Sequence, residues 1–277
     1  MIKFLFITNQ PDLARFAVDS GVQRVFVDLE ILGKKERQGH LDTVISQHSF
    51  SDVKPIRAAV PDAELLVRLN PLHPGTKAEV EAALLAGADL LMLPMFRRLD
   101  EIQTFCELVA GRAGVVPLVE TAEALRGFEK LCLMPGITEL FIGLNDLHRA
   151  MGKTFMFELL ADGTVEHAAK LARSVPRPFG FGGIARVGEG LLPAEKILGE
   201  HLRLGSTAVI LSRTFHRRSP GLNELRSNMD FEAEIAKLRA AEQALKMRSE
   251  EEIEADRRDV QGRVEQIASQ LAAKPVR

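Results

Sequence analysis

The sequence predicts a (β/α)8 barrel of the α/β class, followed by a helical extension. Three observations carry that expectation: eight short apolar runs, amphipathic segments between them, and charged residues where several runs end. The runs are Lys3–Thr8, Arg24–Leu29, Glu64–Leu69, Leu90–Pro94, Val115–Glu120, Glu139–Gly143, Phe179–Ile184 and Ala208–Ser212. Several are apolar without interruption, as parallel strands covered on both faces are. The intervening segments Asp12–Ser20, Thr76–Gly87, Asp100–Ala110, Ala122–Leu133 and Ala194–Leu204 read as helices. Gly87 and Gly205 stand where a helix gives way to a strand, the expected αβ junction. Strand alternating with helix through eight units closes as a TIM barrel. A doubly wound open sheet is the rival. Its first turn often carries glycines, and here that turn is Thr8-Asn9-Gln10-Pro11-Asp12.

After Ser219 the composition shifts. From Asp230 the chain is rich in Glu, Arg, Lys and Ala, with no Pro and no Gly before Gly262. Apolar residues recur at Phe231, Ile235, Leu238 and Leu245, then at Val260, Val264, Ile267 and Leu271. Steps of three, four and seven give helices with one apolar stripe. We therefore divide the chain into a barrel, residues 1–220, and a helical extension, residues 221–277, whose stripe suits packing between subunits. The charged run Arg248–Asp259 reads as a solvated face or a hinge.

The 277 residues suffice for one large domain with a full core. A net charge of −2 gives no electrostatic case for nucleic-acid binding. No apolar run approaches membrane-spanning length, and the short run after Met1 reads as a strand rather than a signal. Cys106 and Cys132 lack CxxC spacing and read as reduced thiols, so the expected setting is cytoplasmic.

The chemistry gathers at the strand ends. Val25-Phe26-Val27-Asp28-Leu29-Glu30 ends in two acids, and Leu65-Leu66-Val67-Arg68-Leu69-Asn70 places an arginine at the strand exit. Glu120 and Asp146 follow the fifth and sixth runs, and the seventh ends Gly182-Gly183-Ile184-Ala185, where backbone can approach a ligand closely. Each feature alone has a plain reading, because an acid at a strand end often caps the next helix. Together they put one arginine and four acids on the C-terminal face of one barrel, where barrel enzymes work. Burying so many charges is costly unless a metal or ligand organises them, and a hard divalent cation takes oxygen ligands.

These motifs resemble the HpcH/HpaI aldolase and citrate lyase β-subunit family of pyruvate/phosphoenolpyruvate-type barrels. The resemblance covers residues 1–220. It rests on Val27-Asp28-Leu29-Glu30, Val67-Arg68-Leu69-Asn70, Gly87-Ala88-Asp89 with Leu93-Pro94-Met95, Pro117-Leu118-Val119-Glu120-Thr121, and Phe141-Ile142-Gly143-Leu144-Asn145-Asp146-Leu147 leading to Met151-Gly152. It implies a metal-dependent lyase that makes or cleaves a 4-hydroxy-2-oxo acid through the enolate of a pyruvate-like 2-oxo acid. Mg²⁺ or Mn²⁺ would sit on Glu120 and Asp146, and Arg68 would donate to the substrate. Asp28 and Glu30 would orient Arg68 or hold metal-bound water. Backbone around Gly143, Asn145, Gly183 and Ala185 would take the substrate carboxylate. The resemblance also implies a homo-oligomer, a trimer or hexamer.

One departure matters. The HpaI-type aldolases have a histidine soon after the acidic pair, and here Ile31 and Leu32 stand there. His40 is the candidate base in its place, with His148 a second. Arg37, in the basic stretch Lys34–Arg37, and the Arg213, His216, Arg217 and Arg218 group suit an aldehyde partner that is acidic or phosphorylated. Two other readings stay open: a citryl- or malyl-CoA-type lyase, and a barrel without catalysis that acts as a binding or assembly subunit.

Overall fold

A computed structural model describes residues 1–33, 48–217, 219 and 221–273. Its centre is a closed barrel of eight parallel strands in sequence order: β1 Lys3–Ile7, β2 Arg24–Asp28, β3 Glu64–Arg68, β4 Leu90–Leu93, β5 Gly114–Val119, β6 Leu140–Ile142, β7 Phe179–Ile184 and β8 Ala208–Leu211. β1 pairs with β8 and closes the ring. All eight expected strands form, each within about two residues of its sequence bounds. Around them lie α1 Pro11–Asp19, α2 Phe50–Ala59, α3 Thr76–Leu85, α4 Leu99–Val109, α5 Ala122–Arg126, α6 Phe128–Leu133, α7 Leu144–Ala150, α8 Glu158–Ala161, α9 Thr164–Arg173 and α10 Ala194–Leu204. The single helix expected over Ala122–Leu133 is two, separated at Gly127.

Side chains alternate across each strand. Leu5, Phe26, Leu66, Leu90, Met92, Val116, Leu118, Phe141 and Ala208 fill the barrel interior. Their neighbours in sequence, such as Val25, Val27, Leu65 and Val67, pack outward against the helices. The same alternation places Arg24 and Glu64 below the interior layer and Asp28 and Arg68 above it.

The lower end is closed by ions. Arg24, 1% exposed, forks onto Glu139 with two contacts of 2.8 Å, and its Nε donates to Glu64 at 2.8 Å. Lys3 reaches the other oxygen of Glu64 at 2.5 Å. Burial works against the Arg24 charge, but the two carboxylates outweigh it and raise its pKa.

The extension is helical, as the sequence predicts: α11 Leu222–Asn228, α12 Phe231–Lys246 and α13 Glu250–Ala272. The break falls at 247–249, where Ser249 caps α13, so most of the charged run lies inside a helix. Its apolar stripe, however, covers its own barrel. Phe231, Ile235 and Leu238 pack with Phe4, Phe6 and Val209, while Val260 and Val264 join the core around Phe155, Phe157 and Leu159. Lys196 of α10 bridges Asp256 and Asp259 at 2.7 Å each, and Arg248 meets Asp256 at 2.6 Å. No described helix is long and apolar enough to cross a membrane.

Removing one partner of a buried pair strands the other charge. Arg24→Ala is therefore expected to cost about 3–5 kcal/mol, read as a lower denaturation midpoint. Arg112→Ala, whose partner Glu81 is half exposed, should leave the midpoint nearly unchanged.

Candidate active site

The register of β2 and β3 sets the centre of the site. Asp28 and Arg68 are the last residues of their strands and are partners in the ladder. Arg68 forks onto Asp28, Nε to Oδ1 and Nη2 to Oδ2, at 2.8 Å each. Glu30 lies 3.3 Å from the same Nη2. The guanidinium stands above the Phe26 ring, 5.6 Å from its centroid, so the interior layer forms the floor. Burial works against the charge of Arg68, but Asp28 and Glu30, with Glu120 beyond them, raise its pKa. It is a permanent cation.

Glu120 follows β5 and is buried. Its Oε1 accepts the Met95 N–H at 3.0 Å. Met95 holds a φ of 55°, a left-handed conformation that costs a residue with a Cβ. Gly143 makes room on the other side. A Cβ there would stand 2.9 Å from Glu120 Oε2 and 3.0 Å from its Cβ. Burial pushes the Glu120 carboxyl up to about 8; Arg68 opposes the rise, and Glu30 and Asp146 add to it. Asp146 lies in the first turn of α7, mostly buried, with Arg149 Nη1 3.7 Å away at the rim.

Of the residues expected from sequence, Asp28, Glu30, Arg68, Glu120 and Asp146 therefore share one end of the barrel and one electrostatic neighbourhood. Gly183 and Ala185 lie at that end too. β7 shifts register against β8 between Gly180 and Gly183, with Gly182 at a φ of 54°, and Arg186 ties the turn to the Phe215 carbonyl at 2.7 Å. One expectation needs correction. The Gly143 N–H is engaged by the Val119 carbonyl at 2.9 Å, so it is not a donor to substrate. Asn145 lies in the first turn of α7, its side chain exposed and 3.4 Å from Arg149. His148 Nδ1 bonds the Leu144 carbonyl at 3.0 Å, and burial lowers its pKa. The His216 ring packs edge-on to Phe6 in the outer layer, away from the barrel interior. Arg37 and His40 lie outside the described residues, as does Arg218.

The sequence reading missed two residues. His48 Nδ1 accepts the Asp28 N–H at 3.0 Å, which puts a neutral ring nitrogen beside the acidic motif. The capping box at Ser49 marks where α2 starts, but it does not announce this contact. Asn70, quoted only as part of a motif, accepts the backbone N–H groups of Ile31 and Leu32 at 2.8 and 2.9 Å.

Among the described residues no group of three or more His, Cys, Asp and Glu is arranged to hold a metal ion. The fit is with a hard cation held by two carboxylates and otherwise by water. Asp28 is already engaged by Arg68, whereas Glu120 Oε2 faces Gly143 with no donor on it among the described residues. Burial first, and then the charges of Glu30 and Asp146, raise the Glu120 pKa, and a cation would favour its charged form.

Fold and site together define a class: a parallel α/β barrel with an arginine–carboxylate cluster in its C-terminal mouth. Solved structures share that fold. An HpcH/HpaI aldolase/citrate lyase family protein from Burkholderia cenocepacia is 16% identical with a TM-score of 0.61, over 88% of this chain and 93% of its own. An HpcH/HpaI aldolase from Desulfitobacterium hafniense is 15% identical with a TM-score of 0.56, over 76% and 86%. The citrate synthase SbnG is 13% identical with a TM-score of 0.58, over 76% and 85%. The first two carry the family name that the motifs resemble. No protein-family model and no curated protein matches the chain in sequence.

The raised pKa of Glu120 has a consequence for stability. Between the ordinary carboxylate range and about 8, the folded protein holds a proton that the unfolded chain has released, so stability falls as pH rises through that window. Glu120→Gln removes this dependence. In EDTA, the variant should melt above the wild type, by a margin that grows from pH 5 to pH 8 and then levels off; thermal melts across that range check it.

Proposed function

We propose that this chain is a divalent-metal-dependent carbon–carbon lyase that makes or cleaves a 4-hydroxy-2-oxo acid, with a pyruvate-like 2-oxo acid as one substrate. The observation that carries the reading is the Asp28–Arg68 fork set beside a buried, proton-holding Glu120. Aldolase, citrate lyase and citrate synthase are the names the fold neighbours bear, and each denotes making or breaking a C–C bond.

The residues divide the work by their chemistry. Glu120 and Asp146 would hold Mg²⁺ or Mn²⁺. The bound cation supplies Lewis-acid stabilisation for charge that develops on the substrate. Asp28 and Glu30 take Nε and Nη2 of Arg68, which leaves Nη1 to donate to a substrate oxygen. A guanidinium held at two of its nitrogens is already oriented, so its donation costs no reorganisation during reaction. Phe26 and the interior layer below exclude water from that side. Asn145 and Arg149 are exposed at the rim, where an aldehyde or an acidic co-substrate would approach.

Proton NMR of pyruvate in D₂O tests the reading. With Mg²⁺ or Mn²⁺ the methyl signal should fade as deuterium enters, and EDTA should stop it. Glu120→Gln and Arg68→Ala should each slow the exchange by about a hundredfold or more, and Arg68→Lys nearly as much, because lysine lacks the fork. No exchange together with no metal binding in calorimetry would reject the lyase and favour a binding subunit.

Metal binding should also release protons. At pH 7 Glu120 is mostly protonated in the metal-free protein, so calorimetry in buffers of different ionisation heat should show close to one proton released per ion. Glu120→Gln should show none.

A further inference from the structure

The backbone that carries Glu30 has an unusual source of order. The last rung between β2 and β3 runs from the Leu29 N–H to the Arg68 carbonyl at 2.9 Å. Beyond it the chain leaves the sheet, and side chains take its next three amides. Asp28 Oδ1 accepts the Glu30 N–H at 3.2 Å. Asn70 Oδ1 accepts the Ile31 and Leu32 N–H groups at 2.8 and 2.9 Å. Behind it, Asn70 Nδ2 donates to Glu79 Oε1 at 2.7 Å, and the Asn70 N–H donates to Glu79 Oε2 at 3.3 Å. Glu79 belongs to α3, so this relay joins a helix, the β3 exit and the β2 exit.

Asn70 is 7% exposed, and each end of its amide faces a fixed partner. The oxygen meets two donors and the nitrogen meets a carboxylate, so only one orientation satisfies all of them. Aspartate could accept both loop amides but would set a carboxylate against Glu79. Alanine would leave the two amides without their acceptor.

We propose that Asn70 is a positioning residue: oriented by Glu79, it fixes the Glu30–Leu32 backbone and so holds Glu30 against Arg68. Its effect on turnover rests on the lyase reading above; its effect on the loop does not. The relay sets where the second carboxylate meets the guanidinium, and therefore how Nη1 is aimed.

The test is an exchange of chemistry across the Asn70–Glu79 pair. In Asn70→Asp/Glu79→Gln the direction of the bond reverses: the glutamine nitrogen donates to the new carboxylate, and its oxygen accepts the residue 70 N–H. Hydrogen exchange of the 29–33 segment, followed by mass spectrometry, reads the loop directly. Asn70→Asp and Asn70→Ala should each exchange about ten- to a hundredfold faster than wild type. The double variant should return to within about threefold of wild type, whereas Asn70→Ala/Glu79→Gln should not. Pyruvate deuteration should follow the same pattern, with kcat about tenfold lower in Asn70→Asp and restored in the double variant, and with KM little changed.

Wild-type protection in Asn70→Ala would overturn the proposal, as would a folded double variant that stays unprotected. If Asn70→Asp does not fold, Asn70→Ala and the double variant decide. A wild type that neither exchanges pyruvate protons nor binds metal rejects the lyase reading, while the hydrogen-exchange pattern still judges the relay.

Discussion

The in-register pairing of β2 with β3 is the constraint on which the rest of the structure depends. Five rungs run from Arg24 opposite Glu64 to Asp28 opposite Arg68. Because alternate side chains face the interior, the inward pairs are Arg24 with Glu64, Phe26 with Leu66, and Asp28 with Arg68. One short ladder thus sets the ion network below, part of the apolar layer between, and the fork above. A slip of β2 by one residue would turn Arg24, Phe26 and Asp28 outward, away from their partners, and leave Val25 facing in. The two arginines have opposite duties. Arg24 has both flanks engaged by carboxylates and no side open to a ligand. Arg68 is held at Nε and Nη2, and its Nη1 has no acceptor among the described residues.

Glu120 shows how neighbouring strands contribute to that mouth without a charge of their own. The β4 exit gives it a backbone amide through the left-handed turn at Met95, and the β6 exit gives it space through Gly143. Neither contribution neutralises it. A group held so, buried among acids and reached by a single amide, is poised between two protonation states near neutrality. An incoming cation must displace that proton, so its affinity should rise with pH through the same range.

Much of this was legible in the sequence, for identifiable reasons. The strands were legible because parallel strands covered on both faces read as apolar runs, and the acids were legible because they ended those runs. The register between β2 and β3 was implicit in the matching positions of Asp28 and Arg68. What stayed hidden depends on contacts between segments far apart in the chain. Nothing local to His48 says that its ring meets the Asp28 amide, and nothing local to Asn70 says that Ile31 and Leu32 are its partners. Gly143 misled for a related reason: its sequence suits a ligand, but its N–H continues the ladder to Val119. The extension was legible as helix because its stripe has a period. A period does not name what the stripe covers, and here it covers the barrel that precedes it.

That covering bears on how the chain is made. Glu242 of α12 is fully buried and accepts the Ile2 amide at 3.0 Å, while Arg239 lies over the Phe4 ring, 3.6 Å from its centroid, and donates to the Ile2 carbonyl. β1 also needs β8 as its second neighbour. The strand that leaves the ribosome early must therefore wait for residues made more than two hundred positions later. Until they emerge, one edge and one apolar face of β1 are open to other chains. A nascent barrel of this design is vulnerable until β8 and α12 are made, when α12 covers the outer face of β1.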